Sequence, residues 1–220
     1  MDNIRIFYNK IGRSKYISHL DINRCMQRAL KRAHLDVWYT QGFNPHMYIT
    51  FPMPTSLGFQ SYCECMDFRL NEKIPFEEIK QRLNQVLPEG IEVTSVSSPI
   101  MKPETISEIE YALIISSDSV NSNQLNMDFH NFFEKEEIIV DKKTKKGITS
   151  LDIKPHIKLM STSVLDNKKV KIRAMFTSGI MFSINPMLLL NSFISSLNYG
   201  VEVIDVIKKR LITTSKENFI

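Results

Sequence analysis

The sequence predicts an α+β protein made of two tandem ferredoxin-like (βαββαβ) units, and three observations point to it. A strand-helix-strand-helix-strand rhythm, with room for one more strand in a long loop, runs through residues 1–98. An aperiodic stretch at 98–107, with Pro99 and Pro103, reads as a linker. A similar rhythm then returns over residues 108–220. With 220 residues, 43% of them hydrophobic, the chain has apolar material for one large core or two small ones. No repeated residue motif links the halves, so the duplication rests on pattern.

Residues 3–9 read as the first strand. Ser18-His19-Leu20-Asp21 forms a capping box. Behind it Ile22, Met26, Ala29, Leu30 and Ala33 fall on one helical face, which predicts a helix over 19–34. Residues 36–58 carry Gly42, Pro45, Pro52, Pro54 and Gly58, a long segment of turns of the kind that is more often functional than idle. A strand follows at 61–70. Pro75 opens a second helix whose buried face is Phe76, Ile79, Leu83, Val86 and Leu87, and Pro88-Glu89-Gly90 stops it. Residues 91–97 complete the first half as a strand.

In the second half 110–116 reads as a strand, and Leu125, Phe129, Phe132 and Phe133 mark a helix face. A strand at 137–140 runs into a turn at 142–147. Residues 156–163 and 168–177 read as a hairpin turning at Asp166-Asn167. Asn185-Pro186 pairs an N-cap with proline at the first helical position, and Leu189, Leu190, Phe193, Ile194 and Leu197 line that helix. Tyr199-Gly200 ends it, and 201–208 is the last strand.

Charged residues make up 24% of the chain, an ordinary fraction for a folded domain. No 18-residue apolar run is present, so no membrane span is expected. Met1-Asp2-Asn3-Ile4-Arg5 does not read as a secretion signal, which makes the cytoplasm the expected compartment. Cys25, Cys63 and Cys65 are an odd set and argue against a disulfide framework. Cys63-Glu64-Cys65 would put two sulfurs on one face of a strand. That is either two small strand residues or a metal site completed by a histidine, with no second cysteine pair to support it. No zinc, iron–sulfur cluster or other cofactor is expected from these spacings, and the Cys-x3-Cys-x2-Cys run of radical S-adenosylmethionine enzymes is absent.

The formal net charge is +4, but it is unevenly spread. Residues 1–35 hold eight Lys or Arg against Asp2 and Asp21, and residues 141–173 hold ten against Asp141, Asp152 and Asp166. Concentrated basic segments are either the footprint of a polyanion partner or solvated surface. Arg24, Arg28, Lys31 and Arg32 share the helical face opposite the apolar stripe, where Lys10 precedes them in sequence and Asp21 is the one acid among them. Gln41-Gly42-Phe43-Asn44-Pro45-His46 is turn chemistry that presents an amide, an aromatic ring and an imidazole together, with Trp38, Tyr39 and Tyr48 nearby. Aromatics beside cations suit stacking of unpaired bases, and taken singly they also suit packing under a loop. His19, Asp21 and His46 are the candidates for acid–base work, although no nucleophile signature, Walker loop or Gly-x-Gly-x-x-Gly accompanies them.

Several of these runs together resemble a known family. Lys10-x-Gly12, Tyr16-Ile17-Ser18-His19-Leu20-Asp21, Arg24, Arg28-Ala29-x-x-Arg32-Ala33, Gln41-Gly42-Phe43-Asn44-Pro45-His46, Phe51 and Pro54-x-x-x-Gly58 resemble the signature of the bacterial radical-SAM-associated proteins of unknown function. Leu151-Asp152-Ile153-Lys154-Pro155 resembles a second stretch of that family, with Lys154 where arginine is usual, and Met47 stands where proline often follows the histidine. The resemblance implies a companion of a radical S-adenosylmethionine (radical SAM) enzyme, often encoded beside an RNA-processing ribonuclease. A fold-level likeness to tandem ferredoxin-like CRISPR repeat-processing endoribonucleases rests on rhythm and a basic helix. Three functions are expected in this order: a non-catalytic accessory module that binds RNA for a separate radical SAM enzyme, a protein-only docking partner of such an enzyme, and a metal-independent RNA-cleaving enzyme using His19 and His46. Lys10, Arg24, Arg28, Lys31, Arg32, Gln41, Phe43, Asn44 and His46 are the expected binding residues.

Overall fold

The computed structural model describes residues 2–144, 147–179 and 181–220. The chain forms two compact α+β units: one holds residues up to Thr105 together with Glu217–Ile220, and the other holds Ile106–Lys216.

The first unit runs β1 (Asp2–Lys10), α1 (His19–Arg32), β2 (Ile49–Thr50), β3 (Gln60–Leu70), α2 (Phe76–Asn84) and β4 (Ile91–Ser97). Its strands lie in the order β4-β1-β3-β2, each antiparallel to its neighbour. Ile4 stands opposite Phe68 and Ile6 opposite Met66, and residues paired this way share a sheet face. That face receives the stripe of Ile22, Met26, Ala29 and Leu30 from α1 and Ile79 and Leu83 from α2.

Two sequence expectations change here. The second helix ends at Asn84, and Val86 and Leu87 pack against the core from beyond its end. Pro88 disfavours helical backbone in the residue before it, and the Val86 N–H turns back to the Leu83 carbonyl to close a tighter last turn. Phe76, expected on the buried face, is exposed at the start of that helix. The extra strand in the long loop is real but only two residues long.

The second unit runs β5 (Ile106–Ser116), α3 (Ser122–Phe133), β6 (Ile139–Thr144), β7 (Gly147–Asp152), β8 (Ile157–Val164), β9 (Lys169–Thr177), α4 (Pro186–Ser195) and β10 (Glu202–Thr213). Its main strands lie in the order β10-β5-β9-β8, all neighbours antiparallel. Phe129 of α3 meets Phe193 of α4 edge to face at 5.2 Å above the buried side of β9. Asn185 is the cap the sequence names, and Asn121, which the sequence reading did not single out, caps α3; each accepts a backbone N–H of the first turn.

β5 begins at Ile106, inside the expected linker, and β10 runs on to Thr213, because each finds a partner there. Glu108 pairs with Thr177 on one side and Ile212 on the other. Such pairing is invisible to local propensity. The turn expected over 142–147 is narrower, since 142–144 continue β6 and Gly147 opens β7; residues 145 and 146 lie outside the described residues. β7 has no counterpart in the sequence reading. Among the described residues no helix is long and apolar enough to cross a membrane.

Each unit is also tied by a charge group. In the first, Arg5 is 1% exposed and gives Nε and Nη2 to the two oxygens of Asp67, both at 2.7 Å. Its Nη1 donates to the carbonyls of Met101 (2.8 Å) and Ile220 (2.9 Å), and its guanidinium lies 4.4 Å from the centre of the Phe219 ring. This is why residues 217–220, expected with the second half, belong to the first unit. In the second, the buried Glu110 carboxylate receives Arg173 at 2.6 Å and Arg210 at 2.5 Å. Burial alone would raise its pKa, but the two guanidiniums outweigh burial and hold it below its ordinary value.

Two outcomes follow from these ties. Arg5→Ala leaves Asp67 without its fork and should cost about 3–5 kcal/mol in urea unfolding, whereas Arg13→Ala on the surface should cost about 0.5 kcal/mol or less. The Glu110 contribution is complete above the ordinary carboxylate value of 4.5 and is lost as pH falls through its lower folded value. Unfolding midpoints measured from pH 7 to pH 2 should therefore fall in acid, and Glu110→Gln should make that acid limb shallower.

Candidate nucleic-acid interface

The first turn of α1 sets the site. The Ser18 hydroxyl oxygen accepts the Asp21 N–H at 3.2 Å, and the same hydroxyl donates to the Asp21 carboxylate at 2.7 Å. Asp21 also accepts from Arg24 at 3.2 Å. The Ser18 bond, reinforced by Arg24, keeps the Asp21 carboxyl below its usual range. Asp21 is thus a capping group with one charge, facing four cations on the same helix.

Those cations border an open groove of about 920 Å³. Its α1 wall carries Asp21, Arg24, Arg28, Lys31 and Arg32, with Cys25 at its flank. The opposite wall is Val86, Leu87 and Pro88, just past α2. Arg32 donates to the Val86 carbonyl at 2.5 Å and so joins the two walls while keeping its charge. Among the described residues neither Arg28 nor Lys31 has an acidic side chain within ion-pair distance, so the α1 wall stays strongly positive. Burial pushes the Cys25 thiol up, against the opposing pull of Arg32 and Arg28, so it stays protonated at neutral pH.

The 36–58 segment is a self-bonded arm. Residues Tyr39 and Met47 bridge, the Thr40 N–H bonds the His46 carbonyl at 2.8 Å, and the Tyr48 N–H bonds the Trp38 carbonyl at 3.1 Å. At the tip Gly42 has φ +133°, which a side chain would strain. His46 pins the tip: its N–H and ring Nδ1 both meet Thr40 Oγ1, and Nδ1 also lies 3.2 Å from the Asn44 carbonyl. Gln41, Phe43 and Asn44 are left exposed, Phe43 completely. At the base of the arm Arg69 lies 4.9 Å from the Trp38 ring and 5.1 Å from the Tyr48 ring. Nothing in the sequence pattern singled out Arg69, since β3 alone brings it there.

Other expected residues separate. Lys10 is 3% exposed and engaged inside the fold, away from the α1 wall. His19 meets the Phe51 ring edge to face at 5.3 Å, and among the described residues no hydrogen bond joins it to His46. The Pro54-x-x-x-Gly58 run is a clamp, with the N–H and hydroxyl of Thr55 both donating to the buried Glu64 carboxylate. Cys63 and Cys65 lie on β3 outside any disulfide, and among the described residues no three His, Cys, Asp or Glu side chains gather as metal ligands.

Several described cations of the second basic segment are engaged within the fold. Lys168 pairs with Asp118, Lys169 with Asp166 and Arg173 with Glu110. Within Leu151-Asp152-Ile153-Lys154-Pro155, the Asp152 carboxylate accepts the N–H groups of Ile138 and Lys154, and Lys154 donates to the Phe133 carbonyl. That motif braces the β6–β7 hairpin against the end of α3.

A family model described as an uncharacterized protein conserved in bacteria (DUF2344) matches residues 3–186. No curated protein matches the sequence. Among solved structures, a chain of the "Crystal Structure of a Cbf5-Nop10-Gar1 Complex" is similar with a TM-score of 0.52 and 9% identity, a likeness of fold. It covers 94% of this chain, which in turn spans 48% of that one. An unknown protein from Galdieria sulphuraria aligns over 92% of this chain and 96% of its own at 11% identity, with a TM-score of 0.27.

The pinned tip gives a separable outcome. His46→Ala should leave the unfolding midpoint within about 0.5 kcal/mol of the parent, because the ring is exposed. Hydrogen exchange at residues 40–46 should speed up at the same time, since Thr40 loses its partner; unchanged exchange there would show that the imidazole does not hold the arm.

Proposed function

Since the chain belongs to the DUF2344 family of uncharacterized bacterial proteins, we propose that it is a cytoplasmic, RNA-associated accessory module, not itself catalytic, that works with a separate radical SAM enzyme. The observation that carries this reading is the α1 wall of the groove: Arg24, Arg28, Lys31 and Arg32 stand on one rigid helix face with Asp21 as the only acid lining the same groove. Cations so placed match successive phosphates, and arginine forks suit phosphate oxygens better than point charges do. The radical SAM partner rests on the resemblance carried by residues 10–67. We read each unit as ferredoxin-like, on the strength of the strand orders β4-β1-β3-β2 and β10-β5-β9-β8.

A protein-only docking role is the second reading, and a specific observation favours it. Tyr16, Leu20 and Leu57 are all exposed around the start of α1, where the Gly58 N–H bonds the Lys15 carbonyl at 2.9 Å. An apolar corner beside a basic ridge also fits an acidic amphipathic segment of a partner.

The two readings separate in one titration. RNA held through phosphates loses affinity steeply as salt rises, because binding releases counterions. Arg24→Glu with Arg28→Glu should weaken RNA binding by more than about tenfold and flatten the salt slope, with an unchanged circular dichroism spectrum because both side chains are exposed. Lys73→Gln with Lys158→Gln, both exposed and outside the groove lining, serves as the charge control. Parent protein with no RNA binding at low salt, but with capture of the radical SAM enzyme lost in the double variant, selects the docking role instead.

A further inference from the structure

Building on that RNA reading, we propose that the groove takes an unpaired RNA strand and not a duplex, with phosphates on α1 and base faces on Val86, Leu87 and Pro88. The two walls differ in kind: one carries four cations, the other three apolar side chains, and Arg32 joins them through the Val86 carbonyl. A duplex turns phosphates outward and keeps its base faces stacked inside, so it would engage the α1 wall and leave the apolar wall facing sugar and phosphate. An unpaired nucleotide has a charged edge and a flat apolar face, and the groove offers a surface to each.

The path also continues. Pro88 borders a second hollow of about 820 Å³ formed with Ile11, Gly12, Arg13, Gln60, Glu89 and Gly90. A strand leaving the first groove over Pro88 meets a cation, Arg13, and the side-chain amide of Gln60. Gln60 is oriented there, since its Oε1 accepts the Gly12 N–H at 3.0 Å. The second hollow sets Glu89 against Arg13, so it extends the path in length and polar contacts more than in charge, and two adjoining hollows suit a run of several nucleotides better than one mononucleotide.

The test compares fluorescently labelled RNA of about ten nucleotides, unstructured and single-stranded, with a blunt duplex of the same length. The single strand should bind at least about tenfold more tightly to the full chain, the scale of one stacked base. Pro88 is exposed, so Pro88→Ser should fold normally; adding no charge to the groove, it should weaken single-strand binding by about threefold or more and leave duplex binding unchanged. Ultraviolet crosslinking of the unaltered protein should place bases on the peptide holding residues 86–88, which keeps the test independent of any variant. Duplex binding as tight as single-strand binding, or base crosslinks only elsewhere, overturns the strand assignment while the RNA reading stands. Failure of both RNAs to bind at low salt overturns the RNA reading itself.

Discussion

The groove depends on how α1 must lie. Ile22, Met26, Ala29 and Leu30 are buried against the sheet of the first unit, and each larger side chain contributes about 1.5–3 kcal/mol by leaving water. With 3.6 residues per turn, that seating leaves Arg24, Arg28, Lys31 and Arg32 no place but the outer surface. Turning the helix to hide them would bury unpaired charge, which costs far more than the apolar contacts return. The cationic wall is therefore a consequence of core packing, held as rigidly as the core itself.

Other cations show how little a charge count says by itself. Arg5 sits deep in the first unit with Nε, Nη1 and Nη2 all engaged, and Lys10 is also buried. Arg173 and Arg210 compensate the buried Glu110, and Lys168 and Lys169 pair beside their turn. Three cations of the segment richest in lysine and arginine are thus paired with carboxylates. The helix near the start of the chain keeps most of its charge for something outside the fold. What separates the two is partner geometry, since a carboxylate within hydrogen-bond reach cancels a charge and one farther off does so weakly.

The long arm divides along similar lines. Thr55 clamps it to Glu64, Tyr48 and Trp38 shelter Arg69, and His46 closes its tip on Thr40. These bonds fix where the arm stands, and Phe43 is then carried outward with no protein surface against it. An exposed ring on a braced turn loses little entropy on binding, which suits it to contact with a base or with an apolar partner residue.

Periodicity and caps determined much of this protein without help. The Ser18 and Asn185 caps with the stripes behind them located α1 and α4, and an apolar stripe alone located α3, because helix signals act within a few residues of each other. The four cations of α1 were legible for the same reason. Only the tertiary structure decided where β5 begins and β10 ends, that β7 exists, and that Arg5 reaches Met101 and Ile220. It also placed Val86, Leu87 and Pro88 across from Arg28, turning a helix face into a two-walled groove. Those features rest on residues brought together from distant parts of the chain, and their contact energies appear only once the chain has closed the loops between them.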